Sequence, residues 1–359
     1  MEKFLKDLTI QVRGVSYKPS DLRDENTGVP LLRANNISDN QLTFDDVVFV
    51  EPSKVSEKQY LQDGDIVICA SSGSKNLVGK AAVYHGERRK VTFGAFCKVV
   101  RSKTNGFKEY LSLFFRSPKY RLEISEKSHG ANINNIKTED IDEMSVLVHN
   151  EKTIETICQQ LNSIIAGLEN KKASLLNLDS LVKSRFMEMF GDPNHNDLSK
   201  SLSLEKCVTI RDEMRKPING VTRAKMQAGE LFPYYGATGQ VGTINEYLSD
   251  FEALCIAEDC GNYGPNEEST YVISGKCWVN NHAHLIQCNK NVDIRYLQHY
   301  LNFLDITQYI NGATRSKLTQ SALKTLPILV PSMDQQLEFK RTIELIDKSR
   351  FVCHSRNFL

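Results

Sequence analysis

Apolar residues recur at every seventh position through the middle of the chain. The main row is Ile154, Leu161, Leu168, Leu175, Val182 and Met189, and a second row is Ile157, Ile164 and Leu178. A repeat of this length predicts a long helix that packs against a partner helix in a left-handed coiled coil. Asn150 is a favourable N-cap, and Gly191 and Pro193 are typical of a helix end. At about 1.5 Å per residue, about 39 residues form a rod of about 58 Å.

A second, shorter amphipathic stretch follows Pro331. Ser332 and Gln335 have the spacing of a capping box. The apolar residues of the stretch are Leu337, Phe339, Ile343 and Ile346. We expect a helix that pairs antiparallel with the central one; packing of each helix on another subunit is the alternative. We interpret both helices as structural and subunit-docking elements, with the main row, Leu337, Ile343 and Ile346 as contact residues.

The two halves of the chain repeat one sequence pattern. Residues 129–148 align without a gap with 311–330, and the segments 28–36, 64–72 and 107–115 match 231–239, 252–260 and 293–301 in the same order. Four matches in one order are hard to attribute to chance, so we predict an internal duplication. Short β-like runs punctuated by Gly and Asn predict strands and helices in each half.

The predicted fold class is α+β (mixed α/β): two similar domains separated by long helices that form an antiparallel coiled coil, in a pseudo-twofold internal repeat. A length of 359 residues suits two domains. The predicted boundaries are 1–149 for the first domain, 150–192 for the central helix, 193–331 for the second domain and 332–359 for the short C-terminal helix.

Composition narrows the class of protein. The net charge is only +1, which is not the strongly basic signature of many nucleic-acid binders. Between Lys80 and Lys103, however, seven basic residues accompany a single acid, a local charge of +6. The chain shows no secretory signal and no apolar run long enough for a membrane helix. Nine scattered cysteines indicate reduced thiols, so we expect a cytoplasmic protein.

The motifs of a catalytic or metal-binding chain are missing. Cys277, His282, His284 and Cys288 come nearest to a metal site, but the strand alternation around them favours core packing. The Asn/Asp-Pro-Pro-aromatic motif of adenine methyltransferases is absent, since DPNH at 192–195 has the wrong residues. GATGQVG at 236–242 fits neither a dinucleotide-binding nor a Walker loop. We therefore predict neither catalysis nor a metal.

Several passages resemble those of a known family. They are YYGATGQVGTINEYL (234–248) with the later acids Glu258 and Asp259, WVNNHAHLI (278–286), NIKTEDIDEMSVLV (135–148), KLTQSALKTLPILVP (317–331) and LDSLVKSRFMEMFGDP (178–193). In these passages the chain resembles the specificity subunit of type I restriction–modification systems. They are spread between residues 135 and 331, and the ending of the central helix is the most specific.

The resemblance implies two target-recognition domains, each of which reads one half of a split double-stranded DNA sequence. The helices would act as a spacer and dock methyltransferase subunits. The chain itself would be non-catalytic and would bind no cofactor. S-adenosylmethionine for adenine methylation would lie on the methyltransferase subunits, and ATP and magnesium for DNA cleavage would lie on partner subunits that include the restriction subunits.

Candidate DNA contacts combine loops or turns with basic, amide and aromatic side chains, which suit phosphates and base edges. In the first half they are Lys75, Asn76, Lys80, Arg88, Arg89 and Lys90; in the second half they are Arg223, Lys225, Tyr234, Tyr235, Thr238, Asn262, Tyr263, Arg315 and Lys317. For each residue an ordinary position at the surface or in a turn is the alternative.

Two other functions stay open at this point. The chain could be a truncated or silent variant that acts only as an interaction protein for methyltransferase subunits, a hypothesis prompted by the short C-terminal helix. A single-chain methyltransferase or nuclease is the third hypothesis, and the missing motifs count against it.

Overall fold

The computed structural model describes residues 1–38, 40–74, 77–86, 90–127, 135–195, 197–259, 261–311 and 316–355. The chain divides into two compact units, Met1–Glu169 and Asn170–Leu359. Among the described residues, no helix combines the length and the apolar character that crossing a bilayer requires.

The first unit is built on a four-stranded antiparallel sheet. The strands of the whole first unit are β1 (Glu2–Phe4), β2 (Thr9–Arg13), β3 (Val29–Leu32), β4 (Ile37–Ser38), β5 (Gln41–Leu42), β6 (Val48–Val50), β7 (Ile66–Cys69), β8 (Ala81–Val83), β9 (Thr92–Phe93), β10 (Cys97–Ser102) and β11 (Ser145–Leu147). Its helices are α1 (Leu5–Leu8), α2 (Lys108–Phe115), α3 (Pro118–Lys127) and α4 (Thr138–Asp142), followed by the long helix α5 (Glu151–Phe190), which continues into the second unit. The sheet order is β2–β10–β7–β8, and β6–β3–β9 forms a smaller sheet.

The second unit is built in the same way. Its strands are β12 (Leu202–Ser203), β13 (Val208–Ile210), β14 (Phe232–Gly236), β15 (Gly239–Ile244), β16 (Ser249–Asp250), β17 (Ala253–Ala257), β18 (Thr270–Ile273), β19 (Lys276–Val279), β20 (Ala283–Cys288) and β21 (Pro327–Ile328). Its helices are α6 (Leu204–Cys207), α7 (Gly220–Lys225), α8 (Ile294–Phe303), α9 (Gln320–Thr325) and α10 (Met333–Ser355). The main sheet has the order β13–β20–β17–β18.

Corresponding strands pair in the same sense in both units. The antiparallel pair β1–β11 corresponds to β12–β21, and the parallel pair β3–β9 corresponds to β14–β19. Helices α2 and α8 lie on the segments 107–115 and 293–301, which match each other in the internal repeat. The predicted mixed α and β fold and the internal duplication are therefore confirmed.

Helix α5 begins and ends as the sequence predicts. The Asn150 side chain accepts a hydrogen bond from the Thr153 amide at 2.9 Å, which caps the first turn. Gly191 has φ +78°, a left-handed conformation that stops the helix and suits glycine. Ile154 packs in the core of the first unit, and Val182 and Phe186 pack in the core of the second.

Helices α5 and α10 pair antiparallel within the second unit. Arg185 of α5 forms an ion pair with Glu338 of α10 at 2.6 Å, and Arg350, further along α10, contacts Asp179, further back on α5. Between these pairs, Phe339, Ile343 and Ile346 are buried against Val182 and Phe186, while Leu337 and Leu175 are half-buried and Met189 packs at the edge of the core. The predicted antiparallel helix pair is thus confirmed in this part of α5.

The predicted seam is not buried along its whole length. Leu161 and Leu168 are 41% and 56% exposed, and Ile164 is also exposed. The reason is that α10 has 23 residues against 40 in α5, and the ion pairs of its described side chains join it to the last part of α5. The expectation of a coiled coil within the chain is therefore wrong at Leu161 and Leu168, and their predicted docking of another subunit stays a prediction.

Phe186 lies at the centre of the second unit, where its ring is about 5 Å from those of Phe190, Phe303 and Phe339. We expect Phe186→Ala to lower the free energy of unfolding by about 3–5 kcal/mol, because the cavity cannot be filled by its ordered neighbours. Urea denaturation followed by circular dichroism measures the loss. Leu181→Ala, at an exposed position of the same helix, is the control and should change the value by less than about 0.5 kcal/mol. Equal values for the two variants would contradict this packing.

Candidate nucleic-acid interface

Four segments that resemble family motifs meet at one corner of the second unit. The Asn280 amide donates to the Tyr235 carbonyl at 3.0 Å, which joins the turn after β19 to the β14–β15 hairpin. The Glu258 amide donates to the His282 carbonyl, and the Leu318 amide donates to the Glu258 carbonyl, each at 2.8 Å. We call this group of segments, residues 234–240, 258–259, 280–282 and 317–318, the second corner.

A network of charges lies beneath the second corner. Arg215 lies between two carboxylates, 2.9 Å from Asp212 and 2.5 Å from Glu258. Lys317 pairs with Glu258 at 2.7 Å, and Nδ1 of the buried His284 lies 2.6 Å from Asp212. Every charge that is removed from water here thus has an opposite charge or a hydrogen-bonding group beside it, as burial of ions requires.

Two opposing effects act on the pKa values of these carboxyls. Burial raises the pKa of Glu258. The hydrogen bonds from Lys317 and Arg215 lower it by more than burial raises it, so the pKa falls below its ordinary value. Burial likewise raises the pKa of Asp212, and the hydrogen bond and charge of His284 overcome that effect. Both groups are therefore anionic at neutral pH, and the network holds the strand ends of the second corner in place.

His282 is one of the residues of the second corner that reach the surface. Its Nδ1 lies 2.8 Å from the Asp259 carboxylate, and 40% of its side chain is exposed. Its amide donates to the Asn280 side chain at 2.8 Å, which fixes the turn between β19 and β20. The second corner therefore presents an oriented imidazole to whatever binds there.

The aromatic candidates of the second unit divide by burial. Tyr263 is buried and its hydroxyl donates to the Ala257 carbonyl at 3.3 Å. Tyr234 is buried against Ile244 and Trp278. Their burial counts against the predicted contact with DNA and gives both residues a packing role. Tyr235 is half-buried and stacks on Tyr271.

The polar candidates of the second unit are more accessible. Thr238, Asn262 and Lys225 are exposed, and Arg223 is half-buried with its guanidinium over the Tyr234 ring. Lys317 is half exposed, although its ammonium group pairs with Glu258. Contact of these residues with DNA stays a prediction.

The basic stretch of the first unit serves the fold in part. Arg101 pairs with the buried Asp65 at 2.6 Å, and Lys103 donates to the Lys6 carbonyl at the end of α1. Lys90 is exposed, with its ammonium 3.4 Å from Glu57 and over the Tyr60 ring, and Lys80 is half-buried. Charge counting alone did not show which basic residues were already paired. The predicted contacts at Lys75, Asn76, Arg88, Arg89 and Arg315 lie outside the described residues.

The first unit has a cavity at the position that corresponds to the second corner. The cavity has a volume of about 890 Å³ and lies between the ends of β3 and β7 and the turn from β9 to β10. Phe96, on that turn, is 69% exposed. Sequence reasoning missed Phe96, although the internal repeat makes its position equivalent to the Asn-His passage of the second half.

The four residues considered as a metal site do not form one. Cys277 is buried with its sulfur 3.2 Å from the Ser249 hydroxyl, and His284 is bonded to Asp212 and to the Leu318 carbonyl. Within the described ranges, no group of three or more His, Cys, Asp or Glu side chains is placed to hold a metal ion.

The chain is similar to proteins of one kind in sequence. A family model described as the type I restriction modification DNA specificity domain matches residues 213–350, all within the second unit. The EcoKI specificity subunit of Escherichia coli is 32% identical over 244 residues, covering 63% of this chain and 50% of that protein. The StySPI specificity subunit of Salmonella potsdam is 35% identical over 178 residues, covering 49% and 38%. The chain thus spans half or less of the length of these relatives.

The fold is similar to that of solved structures over almost the whole chain. The S subunit of a type I restriction-modification system from M. genitalium has a TM-score of 0.59 at 13% identity, with 99% of this chain and 91% of that chain covered. A chain from a structure of type I complex assembly has a TM-score of 0.50 at 12% identity, with 99% and 93% covered. At these identities the likeness concerns the fold.

Arg215→Met removes the cation between Asp212 and Glu258. We expect the free energy of unfolding at neutral pH to fall by about 3–5 kcal/mol, because two part-buried carboxylates are left in repulsion. Since both folded pKa values are lowered in the wild type, the stability they contribute is present above the unfolded values near 4 and is lost as the pH falls through the folded ones. The difference between the two proteins should therefore shrink from about pH 5 to about pH 3.

Urea denaturation at a series of pH values measures this difference. Lys290→Met, which removes an exposed cation from the same unit, is the control and should leave the profile unchanged. A difference that stays constant as the carboxyls become protonated would show that Arg215 acts through packing rather than through charge.

Proposed function

Because the resemblance to the specificity subunits of type I restriction–modification systems is confirmed in sequence and in fold, we propose that this chain is the DNA-recognition subunit of such a complex. Each unit reads one part of a bipartite double-stranded DNA target. The helices dock the adenine methyltransferase subunits, and restriction subunits join that assembly. The complex acts in the cytoplasm, where its target DNA lies.

The observation that carries this proposal is that the two units share one fold but have different side chains at the same corner. Backbone hydrogen bonds place Phe96 and His282 at equivalent positions, because their carbonyls accept from the Ala70 and Glu258 amides at 2.9 and 2.8 Å. The first unit has an aromatic ring there, and the second has an imidazole paired with a carboxylate. Two similar readers with unlike surfaces suit a target of two unlike parts.

We assign no reaction to this chain. Its sequence lacks the motif that holds the target amino group in adenine methyltransferases. S-adenosylmethionine, ATP and magnesium are accordingly cofactors of the partner subunits. The chain contributes target choice and assembly, and the charged side chains at the second corner are paired with one another.

The middle of α5 supports the docking of methyltransferase subunits. Leu161, Ile164 and Leu168 are exposed large apolar residues on one side of the helix. An exposed apolar stripe on a helix is typical of an interaction surface. We therefore place the methyltransferase contact on this stripe.

Expression of the chain together with its cognate methyltransferase subunits tests the function. We expect adenine methylation at one split sequence throughout the genome, measured by single-molecule sequencing, and no methylation from the chain alone. Removal of the chain should abolish the pattern. An unchanged pattern would contradict recognition by this chain, and co-purification of the subunits without DNA binding would instead support the interaction-only hypothesis.

Ile164→Asp with Leu168→Asp tests the docking stripe. We expect loss of methyltransferase subunits from an affinity pull-down, because two buried carboxylates would be unpaired in the contact, while the chain itself stays folded. Ser163→Asp, at an exposed position on a different side of the same helix, is the control. Retention of the subunits by the double variant would place their contact elsewhere.

A further inference from the structure

The cavity of the first unit has a fixed wall. At the turn from β9 to β10, the Phe96 carbonyl accepts hydrogen bonds from the amides of Ala70 and Ser71 at 2.9 and 3.0 Å. The Cys97 amide donates to the Gly94 carbonyl at 2.8 Å, which closes the turn. A Cβ on Gly14 would lie only 2.1 Å from the Gly94 oxygen, so the backbones are packed against each other here. The phenyl ring is therefore carried into solvent by a backbone that is held in place.

A partner that covers this ring would gain free energy from its burial. Phe96 is 69% exposed on its ordered turn, and burial of a phenylalanine side chain contributes about 1.5–3 kcal/mol. The neighbouring cavity, about 890 Å³, has the size of a binding site rather than of a packing defect. The position thus has the features of a contact residue: exposed, apolar and preorganised.

The rest of the cavity wall has a larger apolar part, which includes Val15, Tyr17 and Leu77, and a smaller polar part. Arg33, Asn35, Ser71 and Ser72 line the cavity together with Phe96. Arg33 donates from Nη2 to Asp46, but its buried Nε has no hydrogen-bond partner in the described part of the chain. Arginine and asparagine are the side chains that pair with guanine and adenine edges, and phenylalanine suits the methyl group of thymine. This combination matches base edges better than it matches phosphates alone.

The second unit provides an independent argument that the position of Phe96 contacts DNA. His282 occupies the place of Phe96, and it lies within the stretch matched by the DNA specificity domain model, residues 213–350. The main sheet of the first unit has the same order, and its turn has the same hydrogen bond. The position of His282 in one unit therefore locates the equivalent surface in the other.

We infer that this cavity is the base-reading site of the first unit, in which Phe96 contacts a base of the first half of the DNA target and Arg33 and Asn35 supply hydrogen bonds. This assignment rests on the proposed function. The equivalent position in the second unit, His282, reads the other half of the target.

Phe96→Ala in the assembled methyltransferase complex tests the assignment. Methylation rates are measured on a panel of duplexes in which each base pair of the target is changed in turn. We expect Phe96→Ala to slow methylation of the correct target about tenfold and to flatten discrimination at one or two positions of one half only. His282→Ala should flatten discrimination in the other half only.

Leu122→Ala is the matched control, because Leu122 is 62% exposed in the same unit and does not line the cavity. It should retain the rate and discrimination of the wild type. If Phe96→Ala also retains both, or loses rate with its discrimination profile unchanged, the cavity does not read bases. If instead the wild-type complex methylates no specific sequence, the proposed function itself fails.

Discussion

Burial of both ends of helix α5 is the constraint on which the rest of the structure depends. Ile154 near the first end lies in the core of one unit, and Phe186 near the second end lies in the core of the other. Each unit therefore completes its core with residues of the same helix. The second unit adds α10, whose Phe339 and Ile343 cover the other side of Phe186. The exposed stripe between the two ends follows from the same arrangement, because those turns belong to neither core.

The two units show how one scaffold can hold different recognition chemistry. Their sheets share order and sense, and backbone hydrogen bonds fix the same corner in each. The side chains at the corner differ between the units, although the order of the strands is the same. The first unit leaves a cavity beside an exposed ring, whereas the second fills the corner with Arg215, Glu258 and Lys317. Under the proposed function, a scaffold of this kind would let the recognised sequence change while the fold is kept.

Much of the fold was predictable because its signals are local or repeated. Asn150 and Gly191 mark the ends of α5, and a gapless repeat is a strong sign of duplication. What the heptads could not reveal is which positions find a partner: Leu168 and Val182 occupy the same row, yet only Val182 meets α10. The candidate site was harder to predict, because residue type does not report burial. Residue type predicts DNA contacts for Tyr234 and Tyr263, which are buried, and does not distinguish the exposed Phe96 from other phenylalanines.

The central claim is that each unit reads its own half of one DNA target. The most direct measurement is the methylated sequence produced when residues 1–149, the predicted first domain, are replaced by the same domain of another specificity subunit. The account predicts that one half of the methylated sequence changes to that of the donor and the other half stays the same. A sequence in which both halves change, or neither does, would contradict it.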